Sequence, residues 1–134
     1  MRGSLGLLAE ARASITRLTP RGALEALTSG ALLVDVRTAA HRASGGDIPG
    51  AIVIDLTVLP WRLDPTFEWR IPEAVSWTQP WVLICRHGYS SSVAAHQLQR
   101  MGLENVADVD GGFEAWLAEG LPVAGPGYVA DVRE

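Results

Sequence analysis

The sequence predicts an α/β fold: a mostly parallel central sheet of about five strands, with helices on both faces. Three observations carry that expectation. ALLVDV (31–36), AIVIDL (51–56) and WVLIC (81–85) are short, near-continuous apolar runs, as strands covered on both faces require. Stretches of helical periodicity are interspersed with such runs, and buried strands alternating with helices imply parallel pairing. The 134 residues are 48% hydrophobic and 19% charged, a globular balance. A chain of that length buries roughly two-thirds of its unfolded surface in one core.

The elements follow in order. MRGSLGLLAEARAS (1–14) has a short apolar patch interrupted by Gly6 and followed by Glu10. It is too short and mixed for a signal peptide and is expected to be an N-terminal extension. ITRL (15–18) is a short strand candidate that opens the domain proper. Thr19 and Pro20 supply an N-cap and an N1 proline for a helix carrying Leu24 and Leu27 on one face and closed by Gly30. The 31–36 strand follows. The turn signal Ile48-Pro49-Gly50 then opens the 51–56 strand. Residues 59–80 are the least regular, broken by four prolines; PWRLDPTFEWRIPEAVSW (60–77) within them could cap a site, dock an acceptor or simply cover the sheet. After the 81–85 strand, SSVAAHQLQRMG is a helix with Ala94, Leu98 and Met101 on one face and Gly102 at its C-terminus. NVADV (105–109) is a further strand and FEAWLAEG (113–120) a final helix, with Trp116 most simply in the core. The domain thus spans 15–123, and 124–134 are expected to be an exposed tail.

Composition excludes several classes of function. The net charge is −4, every basic residue is Arg, and these are scattered, so no basic stripe suggests a nucleic-acid partner. The single Cys excludes an internal disulfide framework and a Cys-rich zinc site. His41, His87 and His96 are too scattered to form a metal site. No stretch approaches the length of a membrane span. The expectation is a cytoplasmic protein without a membrane partner.

The single thiol stands where a buried strand hands over to a helix. In an open parallel sheet, ligands collect outside the carboxyl ends of the strands, and Cys85 occupies that location. Residues Arg86, His87, Gly88, Tyr89 and Ser90 would curl into a loop whose N–H groups point at the sulfur. The helix starting near Ser91 adds the positive end of its dipole, and both effects favour an anion. Gly88 permits a tight backbone twist, and Ser90 and Ser91 are available to cap the helix. Arg86 and His87 offer positive charge. The alternative is that Cys85 packs as a small buried hydrophobe.

CRHGYSS after an apolar strand resembles the active-site loop of the rhodanese family of sulfurtransferases. DVRTAAHRASGGDIPGAIVIDL (35–56) and DGGFEAWLAEGLPV (110–123) resemble the family's N- and C-terminal signatures, so the likeness covers about residues 15–123. Asp47 stands where the family commonly has His. Ser90 stands where thiosulfate-handling members often carry Arg or Lys, and the smaller, less charged loop resembles that of short single-domain members. The resemblance implies a three-layer rhodanese-like fold and catalysis through Cys85. Its thiolate would take a sulfane sulfur from a donor such as thiosulfate and hold it as a persulfide on the loop N–H groups of Arg86 to Ser91. A thiol or cyanide would then accept it, with ping-pong kinetics and no metal or organic cofactor; a protein acceptor is also open. The resemblance further gives Asp35 a role in holding the loop and Arg37 a place near the mouth; the plainer reading is an ion pair at a strand end.

Two rivals remain. A cysteine phosphatase or arsenate reductase would also use a thiolate in an anion cradle. The tyrosine phosphatase signature, however, places Arg six residues after the Cys, where this chain has Ser91. The other rival is a binding or persulfide-carrier module of the same family without turnover of its own.

Overall fold

A computed structural model of the chain describes residues 2–134. The chain runs α1 (Ser4–Arg12), β1 (Thr16–Leu18), α2 (Pro20–Thr28), β2 (Leu32–Asp35), α3 (Ala39–Gly45), β3 (Ile52–Val53) and α4 (Leu59–Leu63), then β4 (Trp81–Ile84), α5 (Ser90–Met101), β5 (Val106–Val109), α6 (Gly112–Ala118) and β6 (Asp131–Val132). Six strands form one sheet in the order β1-β5-β4-β2-β3-β6, and every neighbouring pair is parallel. The predicted architecture holds, with one more strand than expected.

Period-two alternation decides what each strand residue meets. Trp81, Leu83 and Cys85 join the core beneath α4 and α5, with Leu59, Leu63, Ala95 and Leu98. Val82 and Ile84 join the opposite core beneath α2 and α6, with Ala23, Phe113 and Trp116. The parity of position 85 therefore puts the sulfur on the α5 side. Trp116 is in the core as expected, and its indole N–H donates to the Pro122 carbonyl at 2.9 Å. At α2 the Thr19 hydroxyl accepts from Gly22 N at 3.0 Å, completing the predicted cap.

Four elements were not legible as secondary structure. Helix α1 turns the extension into a packed element on α5, burying Leu8 and Ala11 while Leu5 and Leu7 stay exposed. Helix α3 is capped by the Thr38 hydroxyl, which accepts from His41 N at 3.1 Å. The 59–80 segment covers the sheet through α4 and through Leu59, Leu63, Ile71 and Ala74, whereas Trp61 and Trp69 are 54% and 65% exposed. Finally, the tail adds β6 to the open edge of β3, and Arg133 N donates to Val53 O at 2.8 Å.

Arg133 fixes that tail. Its guanidinium reaches Glu73 at 2.6 and 2.9 Å and Asp131 at 2.6 and 2.9 Å. Hydrogen bonds from Arg133 hold both carboxyls below their ordinary values. A depressed folded-state value means stabilisation that is present above the unfolded value and is lost as pH falls through the folded one. The groups are near the surface, so the effect is local. Acidification below about pH 4 is expected to release β6 while the central strands stay protected, read as hydrogen exchange at the Arg133 amide corrected for intrinsic rate. Glu73→Gln should weaken that protection already at neutral pH; equal protection in both proteins across the range would refute the clamp.

Candidate active site

From β2 the chain proceeds to β3 on one side of the sheet, and from β4 to β5 on the other. Adjacent strands whose connections diverge leave a crevice at their carboxyl ends, the usual ligand position in open α/β sheets. A cavity of about 260 Å³ lies there, lined by Arg37, Thr38 and His41 after β2 and by Cys85, Arg86 and Tyr89 after β4, among others.

The loop is wound around the sulfur. Gly88 N donates to Cys85 Sγ at 3.1 Å and Ser91 N at 3.3 Å, while the thiol donates to Ser91 Oγ at 3.2 Å. Cys85 is 6% exposed at the floor of the cavity. Ser90 and Ser91 do not cap α5 as expected. The N-cap position is Tyr89, at φ −94° and ψ −63°, with no side-chain cap. That backbone lacks the extended conformation of an ordinary cap residue. An otherwise orphan amide of the first turn goes to sulfur instead, so the sulfur itself acts as a capping acceptor. Gly88 is at φ +84°, and a Cβ there would come within 3.0–3.1 Å of Gly111 N and Val109 O.

A polar assembly that the sequence reading missed holds the loop from behind. Asp108 of β5 is wholly buried. Its carboxylate accepts from Ser91 Oγ and Ser92 Oγ, each at 2.8 Å, and from Arg17 Nε at 3.0 Å. Arg17 Nη2 and Arg12 Nη2 both donate to Gly88 O, at 3.1 and 2.7 Å. Burial opposes the charge on Arg17, but the hydrogen bonds and charges of Asp108 and Asp110 outweigh it and hold the guanidinium above its ordinary value. One signal was available in the sequence: NVADV places an acidic residue in a buried run.

The expectation for Asp35 needs correcting. Its carboxylate accepts from Arg37 N at 3.0 Å and from Arg37 Nη2 at 2.7 Å, rather than from the cysteine loop. Asp35 and its partner leave β2 side by side, and a charge buried at that strand end is satisfied by the nearest guanidinium. Arg37 is buried as well; it also donates to Gly46 O at 2.8 Å and lies 3.8 Å over the Phe113 ring. Asp35 therefore positions Arg37 at the cavity wall. Arg86 points away to Glu114 of α6, at 3.2 Å. His87, Tyr89 and Ser90 are exposed around the loop. His96 lies elsewhere, with Nδ1 2.9 Å from Ser14 Oγ.

Helix α6 closes the assembly. Phe113 N donates to Cys85 O at 2.8 Å and Glu114 N to Arg86 O at 3.1 Å. Gly112 makes this docking feasible: it is at φ +61°, and a Cβ would stand 2.5 Å from Cys85 O.

A buried thiol at the switch point of a parallel sheet, gripped by loop amides, places the protein among α/β domains that wind a loop around a cysteine at a strand end. The chain belongs to the family of rhodanese-like domains, whose model matches residues 19–119. It is 34% identical over 99 residues to a sulfurtransferase of Allochromatium vinosum, covering 74% of this chain and 83% of that one. It is 47% identical over 51 residues to the thiosulfate sulfurtransferase GlpE of Vibrio cholerae; that match spans 38% of this chain and about half (48%) of the relative. Among solved structures, it superposes at TM-score 0.83 and 33% identity on a Rhodopseudomonas palustris protein described as of unknown function and a possible tyrosine phosphatase, covering 92% and 96% of the two chains.

Asp108→Ala should leave Arg17 with Asp110 as its one carboxylate partner and free both serine hydroxyls. Breaking a buried pair costs about 3–5 kcal/mol, and partial exposure of Arg17 favours the lower end. Urea denaturation checks the loss, and exchange of the Gly88 amide should accelerate beyond the global change. A loss below ~1 kcal/mol, the scale of one ordinary hydrogen bond, would show that Asp108 does not organise the loop.

Proposed function

We propose that the protein is a sulfurtransferase that carries sulfane sulfur on Cys85. The observation that carries this reading is the sulfur itself, gripped by the amides of Gly88 and Ser91 at 3.1 and 3.3 Å on the floor of a cavity, in a rhodanese-like domain. The names of the Allochromatium and Vibrio relatives support it.

The Cys85 thiolate attacks the outer sulfur of a donor. With thiosulfate, the new S–S bond forms as the old one breaks, sulfite leaves with the electron pair, and Cys85–S–S⁻ remains. The loop amides between Arg86 and Ser91 and the N-terminus of α5 stabilise this anion. With the thiol proton gone, Ser91 can turn its hydroxyl hydrogen from Asp108 toward sulfur. A thiol or cyanide then takes the outer sulfur and restores the thiolate, giving two covalent half-reactions. Cys85 is the catalytic residue of this scheme. Arg37 lines the cavity, Asp35 positions Arg37, and His87, Tyr89 and Ser90 shape the mouth. A cytoplasmic setting and a protein acceptor belong to the same proposal.

The Rhodopseudomonas description gives the phosphatase reading a specific basis. Against it stands Ser91, six residues after Cys85, whose hydroxyl and amide serve Asp108 and the sulfur rather than a phosphoryl group. Arg86 and Arg37 are each engaged by a carboxylate. Phosphoryl transfer would lack the arginine six residues after the cysteine that clamps the phosphoryl group.

Incubation with thiosulfate should add one sulfur atom to the wild-type protein by intact mass and none to Cys85→Ser. Cyanide should then discharge it as thiocyanate, and p-nitrophenyl phosphate should remain unhydrolysed. A wild-type chain left unmodified by several sulfane donors would favour a binding module instead.

A further inference from the structure

Helix α1 and strand β1 precede the matched family residues 19–119, yet both reach the cysteine loop. Helix α1 walls a groove that meets the Cys85 cavity at Tyr89 and Ser90. From the last turn of α1, Arg12 donates through Nη2 to the Gly88 carbonyl at 2.7 Å and through Nε to Ser92 Oγ at 3.1 Å. Its guanidinium lies 5.6 Å from the centre of the Tyr89 ring. The same carbonyl accepts from Arg17 Nη2 at 3.1 Å and from Ser92 Oγ at 3.0 Å. One oxygen thus holds three donors, two of them cationic. Charge-assisted hydrogen bonds of this kind are roughly twice as strong as neutral ones.

A carbonyl gripped in this way fixes the other end of its peptide. Among the described residues no peptide bond is cis, so the Gly88 oxygen and the Tyr89 N–H point in opposite directions. With Arg12, Arg17 and Ser92 gathered at the oxygen, the N–H is turned away from α1 and β1. Tyr89 lines the Cys85 cavity, and its amide has no acceptor among the described residues. The amides of Gly88 and Ser91, by contrast, are already on the sulfur.

Charge singles out Arg12 from the other guanidiniums around the loop. Arg17 is paired with Asp108 and Asp110, Arg37 with Asp35, and Arg86 with Glu114. Arg12 faces no carboxylate at ion-pair distance among the described residues; its partners are the Gly88 carbonyl and the Ser92 hydroxyl. Its field is therefore uncancelled and acts on the carbonyl that it holds. A cation at the oxygen polarises the amide and makes the N–H at the far end a stronger donor.

We propose that Arg12 is a positioning residue for sulfur transfer: it holds and polarises the Gly88–Tyr89 peptide so that the Tyr89 N–H donates to the outer sulfur of the Cys85 persulfide. The inference rests on the sulfur-transfer reading above. In the reduced protein this amide stands without a protein acceptor, and the added sulfur supplies one. Because the peptide is fixed in advance, it needs no reorganisation as negative charge passes from the thiolate to the added sulfur. Helix α1 is then part of the active site rather than an extension to it.

Amide exchange and single-turnover kinetics together test this. Thiosulfate and inorganic polysulfide serve as donors, and intact mass confirms loading. In the wild type, exchange of the Tyr89 amide should slow by about tenfold or more once the persulfide forms, the scale of one hydrogen bond to a charged group. In Arg12→Gln that slowing should shrink to about twofold or less, and in Arg12→Lys, which keeps the charge, most of it should remain. The rate constant for loading at saturating donor should fall about tenfold in Arg12→Gln, short of the roughly hundredfold cost of losing an oxyanion-hole donor outright. The half-saturating donor concentration should change less than that. Comparing loaded with reduced protein within each variant cancels any general loosening of α1. Loading without slower exchange at Tyr89 in the wild type would overturn the proposal and leave sulfur transfer standing. Equal slowing in the wild type and Arg12→Gln, or identical behaviour of Arg12→Gln and Arg12→Lys, would overturn it too. A wild-type protein that no donor loads would remove the sulfur-transfer reading and this proposal with it.

Discussion

A carboxylate taken wholly out of water is tolerated only where charge and hydrogen bonds replace its hydration. Asp108 meets that condition by gathering Arg17, Ser91 and Ser92 around itself. Each partner has a second attachment at the cysteine loop. Arg17 reaches the Gly88 carbonyl, Ser92 lies 3.0 Å from that same carbonyl, and Ser91 receives the thiol hydrogen. The loop's shape is therefore the geometric consequence of satisfying one buried charge on the neighbouring strand. Once the loop is so held, its amides fall on the sulfur without a side-chain cap for α5.

The same device appears on both sides of the reactive strand. Cys85 directly follows β4, and the neighbouring strands β2 and β5 carry Asp35 and Asp108, each buried and each bound to an arginine. Paired in this way, the flanking residues contribute little net charge to the cavity. The local field is then dominated by backbone dipoles: the loop N–H groups and the start of α5. Such a field suits an anion at the sulfur, because fixed amides need no reorganisation as negative charge develops. It also leaves the arginines paired as architecture around the cavity.

How far the sequence disclosed this depends on the range of the interaction concerned. The strands of β2, β4 and β5 were visible because burial on both faces produces short, mostly apolar runs. Helices α2 and α5 were visible because their apolar faces and end signals lie within a dozen residues. Helix α1 was not, since Leu8 and Ala11 are buried only because α5 lies beneath them, while Leu5 and Leu7 spoil any amphipathic pattern. Strand β6 has no apolar content at Asp131 to announce it; it forms because β3 offers an open edge and Arg133 binds Glu73 fifty-eight positions before Asp131. Among the site residues, Cys85 and Gly88 declared themselves through the loop motif. Arg12, Arg17 and Asp108 did not, as each reaches the loop from more than fifteen residues away in sequence.

The sequence by itself determined the alternation of buried strands and helices, the strand parity that sets Cys85 on one face with Trp81 and Leu83, and the turn that places a thiol before a helix. These follow from interactions between near neighbours and from side-chain period. The tertiary structure decided which strands lie beside β4, and hence which buried carboxylate organises the loop and which only fixes Arg37. It also decided that the N-terminal segment would wall a groove next to the thiol. Those outcomes rest on contacts between distant segments, which no local pattern encodes.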